Sequence, residues 1–467
     1  MEEVITRVND AVNGFVWGPV MLVLLVGTGI FLTFGTGFVQ FRRFGYAMKN
    51  TLGKIFEKTK AGEGEITPFQ AVSTALAATV GTGNIVGVTT AIIMGGPGAV
   101  FWMWIAALAG MCTKYAEVLL AVKYRERNDK GDWVGGPMYY IKNGLGKNFK
   151  WLGAIFAVLG AIAAFGIGNI AQINSIATSV KDVAVAFNPG AADSSNTIEL
   201  VTGIAVALFV GVVVIGGVKR IGQVTEKLVP FMAIVYIVCA IVVVIAHGGQ
   251  IGRVFGMIFQ GAFNPSAVTG GVVGAMLVAM QKGVARGVFS NEAGLGSAPI
   301  AHAATSEREP VKQAIYGIFE VFMDTIVICT LTALVVMCSG AADGQWGVKD
   351  AASASTTIAG FASVFGQKFG STLLCVGLLL FATSTILGWA LYGSRCMEYL
   401  FGTKSLLPYQ IAFVIVIVLG ATMDLKLVWD ISDTLNGLMA FPNLVGLLLL
   451  SPVVIKTTKE YFKAIKS

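Results

Sequence analysis

Apolar stretches, most of them close to twenty residues or longer, recur along the whole chain near 14–36, 67–94, 98–121, 151–187, 198–217, 228–247, 269–302, 312–339, 370–395, 408–422 and 428–454. An α-helix needs roughly 20 apolar residues to cross the hydrocarbon core of a bilayer, so the pattern predicts an all-α polytopic membrane protein with eleven transmembrane helices. The polar segments between them reach at most about 30 residues, too short for a separate domain, and residues 1–467 are expected to form one membrane domain. Glu2 and Glu3 stand where a signal peptide would carry a basic region, and no small-residue cleavage site follows. The first stretch is therefore expected to be a retained helix.

Two of the stretches contradict themselves. The second carries Gly81-Thr82-Gly83-Asn84 at its middle, and each glycine weakens a helix by about 1 kcal/mol relative to Ala. Backbone groups freed by unwinding at bilayer depth must find new partners. Discontinuous helices of secondary transporters meet this need by turning freed N–H and C=O groups onto substrate and coupling ion. Close helix–helix approach is the other use of such glycines in membranes. The seventh stretch, 269–302, holds Gly270, Gly271, Gly274, Gly283, Gly287, Gly294 and Gly296 together with Gln281, Lys282, Arg286, Ser290, Asn291 and Glu292. The second irregular span comes five stretches after the first, so stretches two to six (67–247) and seven to eleven (269–454) pair as two five-helix halves. The odd spacing makes them inverted, with 14–36 as an extra N-terminal helix.

Composition agrees. Hydrophobic residues make up 55% of the chain and charged ones 13%, with mean hydropathy +0.76, which excludes a soluble globular protein, whose charged share is about 25%. The net charge of +7 does not imply a nucleic-acid partner, because its position along the chain accounts for it. The alternate polar segments 37–65, 122–150, 216–227, 303–313, 396–407 and 453–467, with Arg395 at a border, hold 24 Lys and Arg, whereas the opposite set holds five: Arg7, Arg253, Lys349, Lys368 and Lys426. The positive-inside rule then places the N-terminus outside and the C-terminus in the cytoplasm, in the plasma membrane. Six scattered cysteines show no ligand spacing, His247 and His302 are the only histidines, and no GxxxxGK[ST] loop is present. Metal, haem and ATP-driven chemistry of the usual kinds are not expected, nor is an enzyme. Nor do charge rings or repeated carbonyl filters of a channel appear.

Residues 95–110, GGPGAVFWMWIAALAG, match sixteen consecutive positions of the signature of the alanine/glycine:cation symporters, also called sodium:alanine symporters. GTGNIVGV from Gly81 to Val88, GGPMYYI from Gly135 to Ile141 and ARGVFSNEAGLGSAPIA from Ala285 to Ala301 also resemble this family. The resemblance implies a LeuT-like five-plus-five inverted-repeat fold carrying small neutral amino acids, alanine and glycine, with Na⁺.

The residues supply matching chemistry. The half-helix after the break presents unpaired amides of Thr82, Gly83 and Asn84, with the positive dipole end, to a carboxylate. The preceding half leaves carbonyls around Ala77–Val80 for a cation, and Gly81 and Gly83 let a ligand approach the backbone. Sodium, a hard ion, favours such oxygen donors. Matching the LeuT-like pattern implies a first Na⁺ on the Thr79 carbonyl and the Asn84 side chain. It implies a second on the Ala77 and Val80 carbonyls with hydroxyls from Thr383, Ser384 and Thr385. Such hydroxyls also commonly bond their own helix. Asn169 and Gln172 share a helix face, for substrate or for interhelical packing. In 269–302 the unwound part is placed at 276–283, with Met280 and Gln281 lining the site, ahead of 287–294. Lys114 and Glu117 are expected to neutralise each other. Glu320 and Asp324, at i, i+4, call for a partner such as Arg286, or else form a relay that would favour proton coupling. Phe165 or Phe381 is the expected lid. Grip through backbone groups suggests weak discrimination between L- and D-alanine, and nothing in the chain demands more than a monomer.

Overall fold

The computed structural model describes residues 2–54, 61–273, 276–351, 353–423 and 426–465. Among them, nine helices and one bent helix pair are long and apolar enough to cross a membrane. They are α1 (Thr6–Gly35), the bent pair α2 (Pro68–Thr79) and α3 (Gly83–Gly95), α4 (Ala99–Lys123), α5 (Lys147–Phe187), α6 (Pro189–Ile215) and α7 (Gly217–Ala246). After α8 (Met276–Asn291) come α9 (Pro310–Cys338), α10 (Gln367–Phe401), α11 (Thr403–Ala421) and α12 (Ile431–Ala464). These account for all the predicted stretches, but α8, with 16 residues, falls short of a full span.

The helices divide by what they face. α4 is enclosed, packing on α8, α9 and α1. α6, α7 and α11 turn Leu208, Val212, Ile234, Ile245, Ile415 and Leu419 outward, as surfaces in contact with lipid require. α2 starts on a capping box in which Thr67 Oγ1 accepts from Gln70 N–H and Gln70 Oε1 from Thr67 N–H, both at 3.1 Å, with Pro68 in the first turn. These contacts satisfy helix-end donors reciprocally. α2 stops at Thr79 because Val80 is extended (φ −81°, ψ 93°), and α3 departs at 52°.

The second irregular span breaks elsewhere than expected. Residues 276–283 are continuous helix, and the chain unwinds at 292–298 instead. There Glu292, Gly294 and Gly296 take φ of 55°, 92° and 81°, the left-handed region that favours glycine. Gly283 and Gly287 serve close packing. A Cβ on Gly283 would stand 2.2 Å from the Ala99 carbonyl oxygen, and one on Gly287 3.4 Å from Met103.

Candidate functional site

The break between α2 and α3 is held by one side chain. Asn84 Oδ1 accepts from Gly81 N–H at 2.9 Å, and Asn84 Nδ2 donates to Asp324 Oδ1 at 2.7 Å and to the Asp324 carbonyl at 3.3 Å. Asp324 Oδ1 also accepts from Ser290 Oγ at 3.0 Å, and its Oδ2 from Thr325 Oγ1 at 2.8 Å. Asn84 and Asp324 both lie in wide, π-helical turns, Gly83–Gly87 and Phe322–Cys329, a local widening often found at functional sites. Arg286 is not the partner of Asp324. It lies 3.7 Å from Asp433 and stacks over the Phe289 ring at 5.3 Å.

Beside the break is a small cavity lined by Ala78, Thr79, Gly81, Thr82, Gly83, Ile167, Gln172, Phe289, Glu292, Thr385 and Trp389. Gln172 reaches it: its Oε1 faces Thr82 N–H at 3.5 Å while its Nε2 donates to the Ile167 carbonyl at 2.9 Å. Among the described residues Thr82 Oγ1 is buried without a hydrogen-bond partner, an atom with capacity for a ligand. Asn169, on a third π-helical turn at Gly166–Ile170, instead donates to the Phe413 carbonyl at 2.7 Å and ties α5 to α11. Met280 and Gln281 line neither this cavity nor the larger one beyond it, because they sit on the continuous part of α8.

Hydroxyls of α10 lie beside the break. Ser384 Oγ donates to the Ala77 carbonyl at 3.2 Å, Thr383 Oγ1 is buried with no hydrogen-bond partner among the described residues, and a Cβ on Gly81 would lie 2.3 Å from Thr385 Oγ1. Oxygen atoms from α2 and α10 therefore converge, donors of the kind a hard cation favours, and the Glu292 carboxylate lines the same cavity.

A vestibule of about 480 Å³ opens on the other side of Thr82, Gly83 and Phe289, with Asn174, Thr178, Asp182 and Arg286 along its wall. Phe289 borders both spaces, so its ring separates vestibule from cavity. Phe165 packs against Tyr409 and Phe413, and Phe381 against Tyr236. Neither ring borders the vestibule or the cavity.

The second break is held from α4. Glu117 Oε1 accepts from the amides of Gly294 and Gly296, both at 3.1 Å, and from Asn443 Nδ2 at 2.6 Å. Lys114 pairs with Glu320 at 3.1 Å rather than with Glu117, and His302 Nε2 lies 3.2 Å from the same carboxylate. Glu292, one of the polar residues of the stretch 269–302, lines the cavity and accepts from Ser297 Oγ at 2.5 Å. A glutamate inside a glycine-rich segment at bilayer depth is the signal that marked it.

Away from the cavity, the strand pair β1 (Glu126–Arg127) and β2 (Trp133–Val134) closes over the start of α2. Glu65 Oε1 accepts from Trp133 Nε1 at 2.9 Å and Arg127 Nη2 at 2.8 Å, and it also pairs with Arg308. Burial alone raises the Glu65 carboxyl, but the hydrogen bonds from Trp133 and Arg308 outweigh it and hold Glu65 below the ordinary carboxylate value.

The model of the sodium:alanine symporter family matches residues 1–467. The chain is 50% identical to the sodium/alanine symporter AgcS of Methanococcus maripaludis over 97% of this chain and 96% of that one. It is 36% identical to the probable sodium/glutamine symporter GlnT of Bacillus subtilis over 100% and 93%. Among solved structures, MhsT in complex with L-phenylalanine superposes with a TM-score of 0.59 at 12% identity, over 85% of this chain and 99% of that one. The fold is accordingly LeuT-like.

Proposed function

The chain belongs to the sodium:alanine symporter family, and from that premise we propose that it carries alanine, of either hand, and glycine into the cell with Na⁺ by alternating access. At the coarser level it is a multi-pass, Na⁺-coupled amino-acid symporter and not an enzyme. The observation that carries the finer reading is the cavity at the Gly81–Asn84 break, where backbone amides, the Gln172 carboxamide and the Glu292 carboxylate converge within walls of Ile167, Phe289 and Trp389.

The substrate carboxylate lies on the amides of Thr82 and Gly83, and its ammonium toward Glu292 and the carbonyl end of α8. The three large side chains keep the cavity tight, which favours a substrate side chain no larger than a hydrogen or a methyl group. One Na⁺ takes the Thr79 carbonyl and Asn84, with Asp324 supplying charge behind them. A second takes the Ala77 and Val80 carbonyls with Thr383, Ser384 and Thr385. The vestibule faces the outside, the basic segments face the cytoplasm, and the protein works in the plasma membrane as a monomer. Residues 67–247 and 269–454 act as inverted halves, each opening with a broken helix, and 14–36 stands outside them.

One observation favours proton coupling as a second reading. Asp324 is fully buried, and among the described residues its carboxylate receives hydrogen bonds but no ion pair. A carboxylate so placed requires a cation, and a proton would also serve. Substrate range is tested by competition: unlabelled glycine and D-alanine should both inhibit uptake of labelled L-alanine. Failure of D-alanine to inhibit would restrict the site to one enantiomer.

A further inference from the structure

Where α1 ends, four basic side chains surround a hollow that shares no lining residue with the cavity or the vestibule. The pocket, about 320 Å³, is lined by Thr36, Gly37, Val39, Arg42, Arg43, Thr458, Lys459, Phe462 and Lys463, with no carboxylate in its wall. We propose that it binds the phosphate headgroup of an anionic phospholipid.

The site is built from two parts of the chain far apart in sequence. A turn after α1 carries Gly37 and Phe38 in left-handed conformation, with φ of 69° and 59°, and leads into the short helix Val39–Arg42. Phe38 rarely adopts that geometry, and here it places Arg42 and Arg43 opposite Lys459 and Lys463 of α12. The two parts are fastened beneath the basic groups. Tyr46 and Tyr461 hydroxyls meet at 2.9 Å, Thr458 bonds Tyr115 of α4 at 2.9 Å, and Arg43 lies over the Phe462 ring at 4.6 Å.

Two features select a lipid over a soluble anion. The pocket sits where the apolar run of α1 gives way to polar chain, the level of the headgroups. On the adjoining surface Phe34, Phe38 and Phe41 are exposed by 65%, 40% and 50%, an apolar flank for acyl chains at the place aromatic side chains favour. Basic pockets between transmembrane helices at this depth match phospholipid headgroups, and each nearby Lys or Arg contributes to the attraction.

The test uses the full-length protein purified in neutral detergent. Thermal stability is followed while phosphatidylglycerol, phosphatidylcholine or inorganic phosphate is titrated at equal phosphate concentration. Arg42, Lys459 and Lys463 are exposed, so the R42Q/K459Q/K463Q variant, which keeps Arg43 over the Phe462 ring, should fold. A control, K147Q/K150Q/K219Q, removes as many exposed charges elsewhere on the basic loops. Phosphatidylglycerol should stabilise the wild type and the control, and the pocket variant should bind it weaker by on the order of tenfold or more. An equal response to phosphatidylcholine would overturn the proposal. So would an equal response to inorganic phosphate, which would make the site one for free anion. So would an equal loss in the control variant, which would leave only diffuse attraction by the basic face.

Discussion

Asn84 joins Gly81 to Asp324: one end of its carboxamide accepts from the Gly81 amide at 2.9 Å, and the other donates to the Asp324 carboxylate at 2.7 Å. The geometry of the broken helix is thus tied to the charge state of a carboxylate on α9. Anything that neutralises Asp324 acts on the segment that is to hold substrate.

Replacing Asp324 by Asn keeps the shape and removes the charge. Loss of one partner of a buried ionic contact costs about 3–5 kcal/mol, so the Na⁺ concentration for half-maximal uptake should rise by roughly a hundredfold to several thousandfold. Uptake measured against Na⁺ concentration checks this. An unchanged Na⁺ response would remove Asp324 from coupling.

Gly81→Ala should nearly abolish uptake, because the new methyl group would lie 2.3 Å from Thr385 Oγ1. Overpacking of this kind costs about 1–3 kcal/mol, roughly a tenfold to hundredfold loss of affinity. Thr385→Ala in the same protein removes the colliding oxygen, so the double variant should recover part of the substrate binding, read by isothermal titration at saturating Na⁺, while its Na⁺ requirement stays raised because Thr385 is a proposed Na⁺ ligand. No recovery would mean that glycine is needed there for backbone freedom instead.

Glu117→Ala strips the acceptor from the Gly294 and Gly296 amides and from Asn443. Each buried donor left unmade costs about 1–3 kcal/mol, so the variant should lose about 3 kcal/mol or more and melt at lower temperature. Glu117→Gln keeps one oxygen and should lose less. Equal melting of the two variants would contradict a capping role.

The pairing of Glu65 with Arg127, Arg308 and Trp133 should stabilise the closed side of the protein above the ordinary carboxylate range. The folded-state value is depressed, so this contribution is complete above the unfolded value of about 4.3 and is lost as pH falls through the lower folded value. The stability difference between wild type and Glu65→Gln should therefore stay constant from about pH 6 to 8 and shrink below about pH 4. Thermal melts across pH test this. A difference that already changes between pH 6 and 8 would point to another titrating group.

The spans and the first break were legible because apolar length and a glycine pair in a membrane helix leave few alternatives. The pairing of Ala77 with the hydroxyls of α10 came from the family resemblance, and Ser384 Oγ donates to the Ala77 carbonyl at 3.2 Å. The second break was misplaced because glycines at 283 and 287 and glycines at 294 and 296 look alike in sequence. The first pair admits a neighbouring helix, and the second takes positive φ. Charge pairing was misread because spacing on one helix said nothing of partners on others. Lys114 lies three residues from Glu117 but meets Glu320 across the α4–α9 contact. Phe289 went unnoticed as the ring between vestibule and cavity because only the packing of α8 shows where it points.

The central claim, that the broken helix couples an amino acid to Na⁺, is tested most directly with the purified protein in liposomes, with Na⁺ and pH gradients imposed separately. Inward Na⁺ at equal pH should drive accumulation of labelled alanine above its external concentration, and a pH gradient in Na⁺-free buffer should drive none. Accumulation under the pH gradient alone, with no response to Na⁺, would contradict the account.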